Sequence, residues 1–316
     1  MKINKHYITF GKIVVLLLSF GYIFYRLLIE KQSGDIINKI TTLHKDSIML
    51  FTIVLILTFF NWSIEAIKWQ FLLQNIESIK FLKSLQSIFS GITVSIFTPN
   101  RIGEFGGRIF YLEEKNRASG IVATLMGNLS QLLITILVGA ICLPFFLNNN
   151  IILPIKINNS VFFTSIIVVI LVGFYVYFKA SEIAGIFARY KKLKFVLKYF
   201  EFIKQYKNFT LLKVVSLSAL RYLIFTSQFI ILLNVFEIKL DYLTAFVAIS
   251  QVYLIMSIIP TFALAELGVR GSVAVLIIGL FSNASIGILS ASIVLWFFNL
   301  AIPAIIGSIF IYKLKI

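Results

Sequence analysis

Two stretches decide how this sequence is read: TPNRIGEFGGRIFYL, Thr98–Leu112, and SIIPTFALAELGVRGSVAVL, Ser257–Leu276. Each breaks an apolar chain with proline, glycine and charge. Each contains Glu, an apolar residue, Gly, any residue and Arg. The first copy is Glu104-Phe105-Gly106-Gly107-Arg108 and the second is Glu266-Leu267-Gly268-Val269-Arg270. A proline, Pro99 or Pro260, stands five or six residues before the Glu, and a Ser-Ile pair stands just before each proline. The first copy carries a further cation, Arg101.

The surrounding composition is that of a membrane protein. Of 316 residues 59% are hydrophobic and 13% charged, against about a quarter charged in soluble domains. Several apolar runs reach the roughly 20 residues that cross a bilayer. The expected class is an all-α polytopic protein of the cytoplasmic membrane. The formal charge of +16 fits cytoplasmic loops rich in Lys and Arg. Its basic residues are scattered between membrane segments, which argues against nucleic acid as a partner. The lone Cys142 excludes an internal disulfide and any multi-cysteine metal site, and His6 and His44 stand near apolar-segment ends, so no zinc site is expected. There is no phosphate-cradling Walker loop and no Ser-His-Asp set. No cofactor and no metal are expected, and a transporter is expected rather than an enzyme.

Full spans are expected at 11–29, 48–73, 119–147, 159–178, 212–235 and 286–311. The first follows MKINKHYITFGK, lacks a small-residue cleavage site and runs on into Arg26, so it reads as an uncleaved helix rather than a signal peptide. Two apolar pieces, 84–98 and 243–259, are short and end at Pro99 and Pro260. Proline, glycine and free backbone groups cannot face lipid, and broken helices survive only where protein or a water-filled cavity covers them. Each piece therefore reads as the outgoing arm of a re-entrant or broken hairpin, returning over 101–118 and 263–281.

Charge sets the orientation. The loop 179–207 has eight Lys or Arg against Glu182 and Glu201 and should be cytoplasmic, whereas 148–159 has only Lys156 and should lie outside. Both termini then fall inside. The halves 48–147 and 212–311 become an inverted repeat within one integral membrane domain, with the helix at 159–178 as the odd crossing. Inverted repeats whose broken helices meet near the midplane recur in transporters.

A buried ionisable group costs about 3 kcal/mol or more at the bilayer centre, so such groups pair or line an aqueous path. Glu104 with Arg108, and Glu266 with Arg270, are spaced i, i+4 and share a helix face. One reading is a local salt bridge that neutralises each hairpin for insertion. Another is a polar cavity in which Arg101, Arg108 and Arg270 bind an anionic group through planar guanidinium forks. A third is an interfacial loop that never enters the membrane. Pro99, Gly103, Gly106, Gly107, Pro260 and Gly268 shape the hairpins, the glycines by close approach to a ligand or a neighbouring helix.

Further polar residues are candidates for the wall: Glu65 and Lys68, Asn128 and Gln131, Arg221 with Gln228, and Gln251 with Tyr253. Lys68, Trp62 and Trp69 read better as an interfacial anchor near the cytoplasmic end, and the amides as interhelical hydrogen bonds. Within 179–207, Leu193, Val196, Leu197, Phe200 and Ile203 form an apolar stripe among lysines. This is an amphipathic helix for the anionic cytoplasmic leaflet, or simply a topology determinant.

Pro99-Asn-Arg101-Ile-Gly103-Glu104, with Arg108 following, resembles the P-x-R-x-G-E motif of the lysylphosphatidylglycerol synthase transmembrane family. Ile259-Pro260 and Glu266-Leu-Gly268 resemble its second motif, although Phe262-Ala263-Leu264-Ala265 stands where the family more often has glycine. The resemblance runs from about Leu50 to the C-terminus. It implies a flippase-like membrane region. In two-domain members a soluble domain adds the aminoacyl group; no counterpart is read here, so synthase activity is not implied. The expected ligands are membrane lipids: an anionic or zwitterionic phospholipid, or a polyprenyl-phosphate-linked lipid. The alternatives are a membrane-embedded enzyme of polyprenyl-phosphate or aminoacyl-phospholipid metabolism, or an accessory subunit that recruits a soluble synthetase. A homo-oligomer is a further expectation.

Overall fold

The computed structural model describes residues 45–98, 101–150, 159–187, 201–260 and 263–314. The expected span at 11–29, the hairpin proline Pro99 and residues 188–200 of the basic segment lie outside them. Among the described residues every regular element is a helix. These are α1 (Lys45–Leu73), α2 (Phe81–Ile96), the short α3 (Gly103–Ile109), α4 (Arg117–Asn150), α5 (Asn159–Phe178), α6 (Ala180–Phe187), α7 (Asn208–Val235), α8 (Tyr242–Ile258), α9 (Ala263–Ile278), α10 (Ser285–Trp296) and α11 (Ile302–Lys313). A turn of π-helix, Phe297–Ala301, joins the last two.

Four helices are long and apolar enough to cross a membrane: Ser47–Leu73, Glu114–Leu147, Asn208–Val235 and Ser285–Lys313. Four of the expected spans fall on them. The surface has the polarity of a membrane protein. Leu55, Ile56, Phe59 and Phe60 of α1 and Ile167, Val168, Val169 and Leu171 of α5 are exposed, while Asn61, Glu65, Lys68, Arg108, Gln228 and Gln251 are buried. Exposed apolar area on this scale marks a lipid-facing surface.

α1 and α7 pack along one another at the centre. α2 packs on α11, and α8 on α4. Small residues bring both pairs close. A Cβ on Gly307 would lie 2.1 Å from the Phe89 carbonyl oxygen, and one on Gly139 2.8 Å from the Leu254 Cβ. With no aqueous driving force between helices in lipid, such close packing and interhelical hydrogen bonds hold the bundle. Thr93 Oγ1 donates to the Ala304 carbonyl at 2.7 Å and Gln251 Nε2 to that of Gly139 at 3.0 Å.

The outgoing arms match the sequence reading closely: α2 ends at Ile96, and α8 ends at Ile258 before an extended Ile259 (ψ 115°). That backbone is the one a following proline enforces. The returning arms differ from each other. α9 runs 16 residues from Ala263 and ends at Ile278, close to the expected 281. α3 has only 7 residues and stops well short of residue 118. Two central glycines weaken it, and the chain beyond is tied elsewhere. Glu77 Oε2, in the turn after α1, accepts from the Glu113 N–H at 3.0 Å and from Asn116 Nδ2 at 3.1 Å. α3 instead lies flat on α2: a Cβ on Gly107 would meet the Gly91 Cα at 2.6 Å. Ser87 Oγ donates to the Arg108 carbonyl at 2.9 Å, and Ser90 Oγ and the Tyr111 hydroxyl share a hydrogen bond.

Of the basic segment 179–207, residues 179–187, which carry α6, and 201–207 are described. Phe202, Ile203 and Tyr206 are buried, and the Tyr206 hydroxyl donates to the Leu72 carbonyl at 2.8 Å. This end of the segment packs on the end of α1.

Candidate functional site

One stripe of α1 carries Thr58, Asn61, Glu65 and Lys68, spaced three or four apart and so on one face. α7 lies against it and offers Ser218, Arg221, Tyr222, Phe225 and Gln228. Glu65 is the hub. Its carboxylate meets Lys68 Nζ at 2.7 Å, Arg221 NH1 at 2.9 Å and Arg108 NH2 at 3.0 Å. Glu65, Lys68 and Arg108 are all at most 2% exposed. Lys68 Nζ also donates to the Gly127 carbonyl at 3.2 Å. Lys68 and Trp69 are thus core residues, with Trp62 nearly as deep, and the interfacial-anchor reading is corrected. Glu65, four residues from Trp69 and three from Lys68, draws the ammonium inward, and the Arg108 guanidinium lies over the Trp69 ring at 5.4 Å.

Both i, i+4 pairs of the hairpins form. Arg108 NH2 is bonded to Glu104 Oε1, and Arg270 NH2 to Glu266 Oε1 at 2.5 Å. A third bond joins the two hairpins: Arg101 NH2 donates to Glu266 Oε2 at 2.6 Å, across 165 positions of sequence. Arg101 holds a left-handed backbone, φ 56°. A non-glycine residue there is uncommon, and such outliers persist where the surroundings over-determine them.

A cavity of about 280 Å³ opens between α1, α4, α7, α8 and α9. Arg101, Glu266, Arg270, Arg221, Asn61 and Asn299 supply its polar wall, and Trp62, Tyr222, Phe225, Tyr253 and Trp296 its aromatic wall. Arg221 is held by Asn61 Oδ1 at 2.9 Å and lies over the Trp62 ring at 4.7 Å. Arg270 lies over the Phe225 ring at 5.6 Å. Asn299 sits in the π-turn, which turns its amide inward. Its Oδ1 accepts from Asn61 Nδ2 at 2.9 Å, and its Nδ2 donates to Gln228 Oε1 at 3.1 Å. π-turns inside α-helices are frequent at functional sites.

The predicted site residues separate into two groups. Arg101, Glu266 and Arg270 line the cavity, whereas Arg108 and Glu104 stand behind it. Arg108 is tied to Glu65, and Glu104 accepts from Asn128 Nδ2 at 3.5 Å. Gly103 and Gly107 serve helix contact: a Cβ on Gly103 would lie 2.5 Å from the Val94 carbonyl oxygen, whereas Gly106 has nothing within 4 Å. Gly268 is buried and its carbonyl accepts from Ser272 Oγ at 2.9 Å, and Pro260 is exposed beyond the end of α8. Among the wall candidates, Gln131, Arg221 and Tyr253 line the cavity, while Gln228 and Gln251 make interhelical hydrogen bonds to the Val54 and Gly139 carbonyls. Asn61, Phe225 and Trp296 were not legible as wall residues. For Asn61 the signal was its place one turn before Glu65.

Four long apolar helices, further shorter ones and a buried charged centre define a multi-pass membrane protein. The Lysylphosphatidylglycerol synthase TM region family matches residues 11–307, and the chain belongs to that family. No curated protein matches the chain in sequence.

Proposed function

We propose that the chain moves a lipid head group between the leaflets of the cytoplasmic membrane, through the cavity between its two hairpins, without altering the lipid. The observation that carries this reading is the Arg101–Glu266 bond at 2.6 Å. It links the two hairpins at the wall of a charged cavity, inside a bundle whose outer face is apolar. An exposed guanidinium (40% exposed) joined to a buried carboxylate is a contact that a passing head group can exchange. In this reading the two halves, 48–147 and 212–311, form an inverted repeat, and both termini face the cytoplasm. The pairwise packing supports the repeat: α2 on α11 answers α8 on α4, and α2 with α3 answers α8 with α9. Each half then supplies one Glu-Arg hairpin to a common centre. Membership of the family supports a role in lipid metabolism or flipping.

The test is reconstitution in liposomes carrying labelled lipids of several head groups, with mass spectrometry of the lipid afterwards. Label should cross between leaflets faster than in protein-free liposomes, with the lipid chemically unchanged. Crossing at the protein-free rate, or conversion of the lipid to a new species, refutes the proposal.

A further inference from the structure

The charge around the cavity does not balance. Arg101, Arg221 and Arg270 line it, with Glu266 as the one carboxylate among its lining residues. Behind the wall, Glu65 meets Lys68, Arg108 and Arg221, and Glu104 shares Arg108 with it. Among the described residues the two ion-pair groups, Arg101–Glu266–Arg270 at the wall and Glu65–Glu104 with Lys68, Arg108 and Arg221 beside and behind it, hold five cations and three carboxylates. An excess of two positive charges inside a membrane-embedded centre is costly unless an anion completes it.

The free donors point the same way. Arg270 makes one ion pair, through NH2; its Nε and NH1 are buried without a partner among the described residues. The indole N–H groups of Trp62 and Trp296 are likewise buried without a partner among the described residues, and both residues line the cavity. Trp62 is 6% exposed, so its N–H has no alternative in solvent. Buried donors without partners are rare and point to an acceptor not in the protein. Phe225 covers a face of the Arg270 guanidinium, which leaves its N–H edge for that acceptor, whereas Arg221 is held by Asn61 and Glu65. Guanidinium edges match phosphate oxygens in geometry.

We infer that the cavity takes a lipid bearing a doubly charged phosphate, a phosphate monoester or a diphosphate, and discriminates against singly charged diesters, zwitterions and cationic head groups. This rests on the lipid-transport reading of the same cavity. A phosphate monoester carries about −1.5 to −2 charges at pH 7, which matches the excess of two; a diester leaves one cation uncompensated. Arg270 is the residue that binds it, with the Trp62 and Trp296 N–H groups as further donors.

The chain has three tryptophans: two line the cavity, and the third, Trp69, lies under Arg108. Intrinsic fluorescence of the purified protein in micelles therefore reports binding. The probes are short-chain phosphatidic acid, phosphatidylglycerol, phosphatidylethanolamine, lysylphosphatidylglycerol and inorganic phosphate. Phosphatidic acid should bind roughly tenfold more tightly than phosphatidylglycerol, the worth of one charge-assisted hydrogen bond. It should bind more tightly still than the zwitterionic and cationic lipids. Arg270→Gln should remove that preference and Arg270→Lys should keep part of it, with far-UV circular dichroism showing both folded.

Equal binding of the two anionic lipids, or tightest binding of lysylphosphatidylglycerol, overturns the inference. Inorganic phosphate binding as tightly as phosphatidic acid overturns it as a lipid site. Selective binding without leaflet exchange would refute transport and leave the site standing, whereas exchange with no head-group preference would do the reverse.

Discussion

Glu65 should be the residue the fold can least do without. It is 1% exposed and neutralises three cations at once, Lys68, Arg108 and Arg221. Glu65→Gln keeps the side-chain volume and removes the charge, leaving the cluster with five cations and two carboxylates. Arg108 retains Glu104, so the loss falls on Lys68 and Arg221. Breaking one buried pair costs about 3–5 kcal/mol because it strands an uncompensated charge. A loss of that size lowers the melting temperature by roughly 5–10 °C. The assay is thermal unfolding in detergent, followed by tryptophan fluorescence and by the fraction still monodisperse after heating. Two comparisons isolate the cause. Glu104→Gln should cost less, because Arg108 keeps Glu65. Adding Lys68→Met to Glu65→Gln should recover part of the loss, since contacting residues in one network are not additive. Glu65→Gln melting with the wild type, with no change on adding Lys68→Met, would refute the view that this charge cluster holds α1, α3 and α7 together.

Gly107→Ala should destabilise by about 1–3 kcal/mol, because its Cβ has no room against Gly91; Gly106→Ala, which meets nothing within 4 Å, should be neutral or slightly stabilising, and the two melting temperatures check both. Gly307→Ala should separate α11 from α2 and cost more than Gly139→Ala, since the first Cβ meets a fixed carbonyl and the second a leucine side chain. In the turn after α1, burial pushes the Glu77 carboxyl up, but Asn116, the Glu113 N–H and Lys83 outweigh it and hold it below the usual carboxylate value. A lowered folded value means its stabilisation is present above the unfolded carboxylate value and is lost as pH falls through the folded one. Denaturation of wild type and Glu77→Gln at pH 7 and at acid pH should show the difference between them shrinking on acidification.

Much of the bundle was legible because period and length speak directly in a membrane chain. Long apolar runs became α1, α4, α7 and the α10–α11 rod, and Pro260 marked the end of α8. The Glu-x-Gly-x-Arg repeat picked out both i, i+4 ion pairs. Local spacing could not show that Arg101 crosses to Glu266, or that Glu65 gathers cations from α3 and α7. Those contacts join residues far apart in sequence and depend on how the helices pack. Lys68 looked like an interfacial anchor because Lys between two tryptophans usually is one; its burial follows from Glu65 one turn away and from the Gly127 carbonyl on α4. The shortness of α3 depends on Glu77, a residue of another turn. Of the aromatic wall Tyr253 was legible, whereas Phe225 and Trp296 were hidden because they are unremarkable within apolar helices.

Glu266 holds both Arg101 and Arg270 at the cavity, and Glu104 holds Arg108 behind it. The most direct measurement of the central claim is leaflet exchange of labelled lipid in liposomes by wild type, Glu266→Gln and Glu104→Gln, each verified as folded before reconstitution. The account predicts fast exchange by the wild type and none by either variant. Both variants moving lipid at the wild-type rate would contradict it, and would leave the repeated Glu-Arg pair with a role in the fold alone.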